Sequence, residues 1–273
     1  MPCSHISFTC SKNLKAAANI SRSLTDAGIA VLRFDFTGLG ESEGDFADSN
    51  FSANVSDLLA AARFLEQEHI APAILVGHSL GGTAVLEAAA DISSAVAVAT
   101  IGAPATSAHV RHLFTATRQE IDVQGEAEVL LGGRPFTVKK QFLDDLEQHD
   151  LPQSVAGLRR ALLIMHAPLD DLVEIDCASE LFRHAKHPKS FISLDKADHL
   201  LSKAEDSRYA GALLAAWASR YLPNADLDRG GVADEVTATT NIAGFRTDLL
   251  VAGYPMVADE PIAARCTAAC RAR

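Results

Sequence analysis

The sequence predicts an α/β fold with a doubly wound, mostly parallel sheet. Two observations carry that expectation. Apolar β-type runs alternate with helix-period patterns along most of the chain, which implies parallel pairing with helices on both faces of the sheet. Within that alternation, residues 73–87 read A-I-L-V-G-H-S-L-G-G-T-A-V-L-E, a short apolar strand, then G-x-S-x-G around Ser79, then a helical pattern. At 273 residues and 48% hydrophobic composition the chain can bury the core of one such domain and an appendage.

The elements follow in order. Residues 11–27 carry helical spacing in Leu14, Ala17, Ala18, Ser21 and Leu24, and Gly28 stands where a C-terminal cap belongs. Residues 29–36, rich in β-branched and aromatic side chains, form a strand that ends in the loop D-F-T-G-L-G-E-S of residues 35–42. Val55, Leu58, Leu59, Ala62 and Leu65 share one face of a second helix. After the strand and helix around Ser79, a strand is expected over residues 95–101, another over 161–165, a helix over 175–185, a strand over 190–194 and a helix over 208–222. The alternation breaks between Ser107 and Leu151, where a helix-like segment with His109, Val110, Leu113 and Phe114, a hairpin turning at Gly132-Gly133, and a helix over 142–146 are expected. An insertion there reads either as a lid or as an ordinary excursion.

Residues 1–222 thus form one domain, with the insertion at about 107–151. Residues 223–234, rich in Asp, Gly and Asn, read as a linker. Beyond it, residues 236–242 and 245–252 alternate around Ala243-Gly244 as a β-hairpin.

A net charge of -11 and a pI near 5.3 argue against nucleic acid or an anionic membrane as a partner, since both select basic patches. No apolar run is long enough to span a bilayer, and a cytoplasmic location is expected. The five cysteines, Cys3, Cys10, Cys177, Cys266 and Cys270, form neither a disulfide framework nor a C-x-x-C zinc pattern. No metal and no cofactor is expected. The glycines of the 35–44 loop follow G-x-G-x-x-x-G, which departs from the dinucleotide-binding template, and no acidic residue closes the next strand.

A serine hydroxyl becomes a nucleophile when a tight strand-to-helix turn holds it beside a base, and Gly77 and Gly81 make such a turn sterically possible around Ser79. The base needs a carboxylate to orient it. H-A-P-L-D-D after the 161–165 strand and D-K-A-D-H after the 190–194 strand supply Asp170 and His199, in the order serine, acid, histidine. Asp171 competes with Asp170, because one sequence does not set the loop register, and Asp198 reads as a turn residue that could orient His199. His78 adjoins the serine and is expected to point away from it. His166, at a strand end, reads as a loop or pocket-wall residue, and His109, His112, His149, His184 and His187 read as surface groups. An oxyanion formed by acyl attack needs two backbone N–H donors. One is Leu80, and the other is sought in a loop at residues 5–10, with Phe8 the choice.

G-H-S-L-G-G around Ser79, D-F-T-G-L-G-E-S, H-A-P-L-D-D and A-D-H together resemble an α/β-hydrolase of the serine aminopeptidase or esterase-like group. F-T-C-S-K-N, V-L-R-F-D-F-T-G-L-G-E-S-E-G and H-P-K-S-F-I-S-L-D-K-A-D-H-L-L resemble, more narrowly, bacterial fusions of such a hydrolase to an OsmC-like domain. That resemblance runs from Phe8 to about Leu222 and into the hairpin as far as A-D-E-P at residues 258–261. It implies a triad of Ser79, Asp170 and His199 with Phe8 and Leu80 as oxyanion donors, acting on a small acyl substrate. It also implies strands before F-T-C, so the sheet is expected to lack its early edge, and an OsmC-like part that stops after one hairpin; the ends resemble a truncated gene. C-T-A-A-C at Cys266 and Cys270 is not the two-cysteine arrangement of OsmC-like peroxidases.

The expected activity is cleavage of an ester, thioester or amide through an acyl-enzyme. The alternatives are a thiol peroxidase or redox fusion, and a non-catalytic scaffold with a degenerate hydrolase fold.

Overall fold

The computed structural model describes residues 5–9, 14–112, 114–115, 117–131, 134–222, 236–240, 247–251 and 254–258. The chain divides into two compact units, Met1–Pro223 and Asn224–Arg273.

In the first unit, β1 (His5–Thr9) precedes α1 (Lys15–Asp26) and β2 (Ala30–Phe34); α2 (Phe51–Glu68) then leads to β3 (Pro72–His78) and α3 (Leu80–Ala88). β4 (Ala97–Ile101) opens the insertion, which holds α4 (Ser107–His112), α5 (Arg118–Gln124), the hairpin β5 (Glu126–Leu131) and β6 (Arg134–Lys139), α6 (Lys140–Leu146) and α7 (Leu151–Gly157). β7 (Ala161–His166), α8 (Asp176–His184), β8 (Lys189–Ser193) and α9 (Ala204–Ala218) complete the unit. Six strands form one parallel sheet in the order β2-β1-β3-β4-β7-β8. Serial crossovers of this kind need a helix per step, and the helices lie on both faces.

Two apolar clusters follow from that layering. On one face, Ile20 and Leu24 of α1 and Leu214 of α9 pack against Ile74, Val76, Ala99 and Leu163 of the central strands. On the other, Leu58 of α2 and Val85 of α3 pack against Leu75, Val98 and Leu162. Successive strand residues alternate between the two clusters, as the period of two requires. β3, β4 and β7 are apolar on both sides because both sides are covered.

The helix ends are set locally. Asn50 caps α2 by accepting the Ala53 N–H at 2.7 Å, and Asp150 caps α7 by accepting from Gln153 at 3.1 Å. α1 stops at Ala27, followed by Gly28 with φ 79°, the left-handed residue that the sequence places there. The loop after β2 folds around Asp35, whose side chain accepts the Glu41 N–H at 3.1 Å and whose carbonyl accepts from the Ser42 hydroxyl at 2.6 Å.

Two expectations need correction. The 5–10 segment, expected as a loop, contributes β1, with Phe8 opposite Arg33 on one side and Val76 on the other. A strand seated between two partners can pair along both edges, which is why five residues suffice here. The sheet accordingly begins with β2 at its edge and β1 inside it. The insertion, read from the sequence as a lid or as an ordinary excursion, packs into the main core: Phe114, Ile121, Val129, Val138, Phe142 and Leu146 are buried in the same cluster as Phe51 and Leu58. In the second unit, the expected hairpin is a three-stranded antiparallel sheet of β9 (Val236–Thr240), β10 (Thr247–Val251) and β11 (Tyr254–Ala258), in the order β11-β10-β9. The third strand gives the pair the partner that an isolated hairpin lacks in water. The expected turns at Gly132-Gly133 and Ala243-Gly244 lie outside the described residues. No helix among the described residues is long and apolar enough to cross a membrane.

Phe51 joins the insertion to the sheet. It is fully buried at the start of α2, with its ring 4.8 Å edge-on from His149. Phe51→Ala is expected to destabilise the chain by about 3–5 kcal/mol, read as a lowered urea midpoint with an unchanged slope.

Candidate active site

Ser79 sits between the last residue of β3 and the first of α3, with φ 53° and ψ -129°, a backbone conformation costly for any residue but glycine. Three hydrogen bonds hold it there. Its N–H donates to the Ile101 carbonyl of β4 at 2.8 Å, and its carbonyl accepts from Gly82 at 2.8 Å and Thr83 at 3.4 Å. The turn is so tight that a Cβ on Gly77 would lie 2.2 Å from the Gly81 carbonyl oxygen, so no side chain fits at that position. Thr83, fully buried, ties the first turn of α3 to the loop after β4 by donating its hydroxyl to the Pro104 carbonyl at 3.0 Å.

The residues expected around Ser79 converge on it. His199 Nε2 lies 3.0 Å from Ser79 Oγ, and His199 Nδ1 lies 2.7 Å from Asp170 Oδ2. The two partners come from loops after β8 and β7, at the same sheet edge as the serine. Asp170 uses its other oxygen to shape its own loop, Oδ1 accepting the N–H groups of Leu172 at 3.0 Å and Val173 at 2.8 Å. Burial pushes the Asp170 carboxyl up; the hydrogen bond and charge of His199 and the two backbone donors pull it further down, so it is held below its ordinary value and is ionised. An ionised acceptor makes Nδ1 of His199 the protonated nitrogen, leaving Nε2 to accept from the Ser79 hydroxyl.

The competing candidates separate. Asp171 is exposed, whereas the Asp170 side chain is 1% accessible. Asp198 accepts the Ser202 N–H at 2.8 Å and so caps the turn that follows His199. His78 is buried with Nε2 2.7 Å from the His199 carbonyl, and His166 is buried with Nε2 2.8 Å from the Val173 carbonyl. His184 and His187 are exposed. His149 is not the surface group expected: it is partly buried, with Nε2 3.0 Å from Ser52 Oγ and Nδ1 3.2 Å from Glu87. His109 Nδ1 lies 2.9 Å from the Thr106 hydroxyl, and the side chain of His112 lies outside the described residues. Leu80, as first residue of α3, has an N–H with no intrahelical acceptor. Phe8 lies one residue inside the end of β1, its ladder partner Val76 three positions before Ser79.

Gly102, directly after β4, escaped the sequence reading. Its φ is 57°, and a Cβ there would stand 3.3 Å from both Asp170 Oδ2 and His199 Nδ1. The signal available was the run I-G-A-P that ends an apolar strand. Among the described residues no group of three or more His, Cys, Asp or Glu could hold a metal ion. Cys177 is buried, and burial pushes its thiol up to about 11, which makes it a poor thiolate. Cys3, Cys10, Cys266 and Cys270 lie outside the described residues.

The model of the Alpha/beta hydrolase family matches residues 6–259. The chain is 52% identical to the esterase domain of a Rhodothermus marinus protein, a crystal structure that it matches with a TM-score of 0.67 over 81% of this chain and 88% of that one. It is 27% identical over 186 residues to mouse mitochondrial palmitoyl-protein thioesterase ABHD10, covering 66% of this chain and 62% of the mouse protein. The human counterpart is 32% identical over 157 residues, 54% of this chain and 49% of that protein. The chain therefore spans between half and two thirds of the length of these relatives. Est1E from Butyrivibrio proteoclasticus, with ferulic acid bound, is 16% identical with a TM-score of 0.68, a likeness of fold alone.

Two predictions follow from this geometry. Gly102→Ala is expected to lower turnover by about 10- to 100-fold while the chain stays folded, because the added methyl presses on the Asp170–His199 hydrogen bond; steady-state kinetics with circular dichroism checks it. The second concerns pH. Burial lowers His78 despite the His199 carbonyl and the fields of Asp170 and Asp198, and it lowers His166 despite the Val173 carbonyl and Asp170, so both stay neutral where an unfolded histidine takes up a proton near 6.5. The unfolded state then binds more protons as the pH falls, and stability falls with it, by at most about 1.4 kcal/mol per pH unit per histidine. Urea midpoints should drop between about pH 7.5 and about pH 5.5, and His166→Gln should flatten that slope.

Proposed function

Because the chain belongs to the alpha/beta hydrolase family, we propose that it is a serine hydrolase that cleaves an ester, thioester or amide of a small acyl substrate through an acyl-enzyme. The observation that carries this reading is the continuous hydrogen-bond chain from Ser79 Oγ through His199 to Asp170, at 3.0 and 2.7 Å. Ser79 Oγ attacks the acyl carbon while His199 Nε2 takes its proton. Asp170 keeps the imidazole in the tautomer that can do so and stabilises the imidazolium that forms. The tetrahedral oxyanion accepts from the Leu80 N–H at the start of α3, where the helix dipole also favours negative charge. The second donor is assigned to the carboxyl end of β1, where Phe8 lies.

Collapse of the oxyanion expels an alcohol, thiol or amine, which leaves with the proton held by His199. Water then enters, gives its proton to His199 Nε2 and attacks the acyl carbon, and a second collapse releases the carboxylic acid and restores Ser79. An ester or thioester is favoured over an amide: the relatives compared above include an esterase domain and palmitoyl-protein thioesterases, and alkoxide and thiolate are better leaving groups than an amine anion.

A fluorophosphonate probe is expected to label the wild-type chain and not Ser79→Ala, as read by intact-mass spectrometry. Asp170→Asn should retain the fold and lose roughly 10⁴-fold in kcat on p-nitrophenyl acetate, since it presents His199 in the wrong tautomer. A chain that is folded by circular dichroism yet neither labels nor turns over would instead be a non-catalytic scaffold.

A further inference from the structure

We propose that His78 and His166 are positioning residues, which set the base and the acid of the site by donating their Nε2 protons to the backbone of the loops that carry them. The proposal rests on the Ser79–His199–Asp170 reading. His78 is the last residue of β3 and His166 the last of β7, so both rings stand at the sheet edge under the site. The acceptor of His78 is the carbonyl of His199 itself, at 2.7 Å, and the two imidazoles lie 4.9 Å apart between centroids. The acceptor of His166 is the Val173 carbonyl at 2.8 Å, and the same Val173 gives its N–H to Asp170 Oδ1. His166 Nε2 also stands 3.7 Å from Asp170 Oδ2, the oxygen that accepts the His199 Nδ1–H hydrogen bond.

The protonation state follows from the partners. A carbonyl only accepts, so both rings carry hydrogen on Nε2, and burial keeps both neutral. A buried polar atom without a partner is costly, and His166 Nδ1 has none among the described groups although the side chain is fully buried. An apolar side chain would fill that place without the penalty. What the imidazole adds is one directed donor, and it is aimed at the loop of Asp170. Direct proton transfer to the serine is left to His199, whose Nε2 is the nitrogen at Ser79 Oγ.

The test compares His78→Gln with His78→Leu, and His166→Gln with His166→Leu, on p-nitrophenyl acetate. The glutamine amide nitrogen can occupy the place of Nε2 and donate to the same carbonyl; leucine cannot. Each leucine variant is expected to lose about 10- to 100-fold in kcat with KM within about two-fold, and each glutamine variant to recover to within about five-fold of wild type. Proton NMR should show the low-field resonance of the His199–Asp170 hydrogen bond in the glutamine variants and its loss or broadening in the leucine variants. Should a leucine variant fail to fold, asparagine takes its place, with an amide one carbon too short to reach the carbonyl and the same loss expected. Folded leucine or asparagine variants with wild-type kcat would overturn the proposal. Ser79→Ala measured alongside separates the two readings: turnover that survives that change sinks the serine mechanism, whereas its abolition beside fully active leucine variants sinks only the positioning role.

Discussion

The close approach of β3 to the first turn of α3 is the constraint on which the rest of this molecule depends. Ser79 can hold φ 53° only because the backbone is pinned on both sides, by Ile101 of β4 and by the first amides of α3. Such a conformation costs about 1–3 kcal/mol and persists where the surroundings over-determine it. The pin is a neighbouring strand, so the place of the serine is set by the pairing of β3 with β4. β4 pairs in turn with β7, and β7 with β8, so the loops that bring Asp170 and His199 are referred to the same ladder. Three side chains that are 29 and 120 residues apart in sequence thereby meet within hydrogen-bond distance.

Burial shapes the electrostatics of the same region. Asp170 remains charged in a nearly inaccessible position because three donors surround it, the Nδ1–H of His199 and the N–H groups of Leu172 and Val173, as a buried carboxylate requires. Beside this negative charge the rings of His78 and His166 stay neutral, so neither adds a cation to the field at the serine. A water-poor setting strengthens each of these contacts and leaves little reorganisation to be done when charge develops on the substrate.

Much of this was legible in the sequence, for reasons that can be named. β3 and β7 are covered on both faces and read as unbroken apolar runs, so the places of Ser79 and Asp170 after them can be counted along the chain, whereas His199 follows β8, an edge strand whose residues are half-buried or exposed. The choice between Asp170 and Asp171 cannot be made by counting, since one residue of loop register decides which carboxylate turns inward. H-I-S-F-T reads as a loop because it is short and half polar, and only the partners on either side make β1 of it. His149 reads as a surface group because its neighbours in sequence are polar, whereas its neighbours in space, Ser52 and Glu87, come from α2 and α3. His78 and His166 carry no signal of their acceptors, because a bond to a main-chain carbonyl leaves no mark on the identity of the residue that provides it.

The seat of β1 inside the sheet changes what residues 5–9 are to this protein. Among the described residues, β2 is joined to the remaining strands through β1 alone. A protease cut or deletion that removed β1 would not shorten the sheet by a margin strand. It would detach β2, expose the open side of β3 beside the nucleophile, and leave four parallel strands with a raw edge, the kind of surface on which chains pair with one another and aggregate.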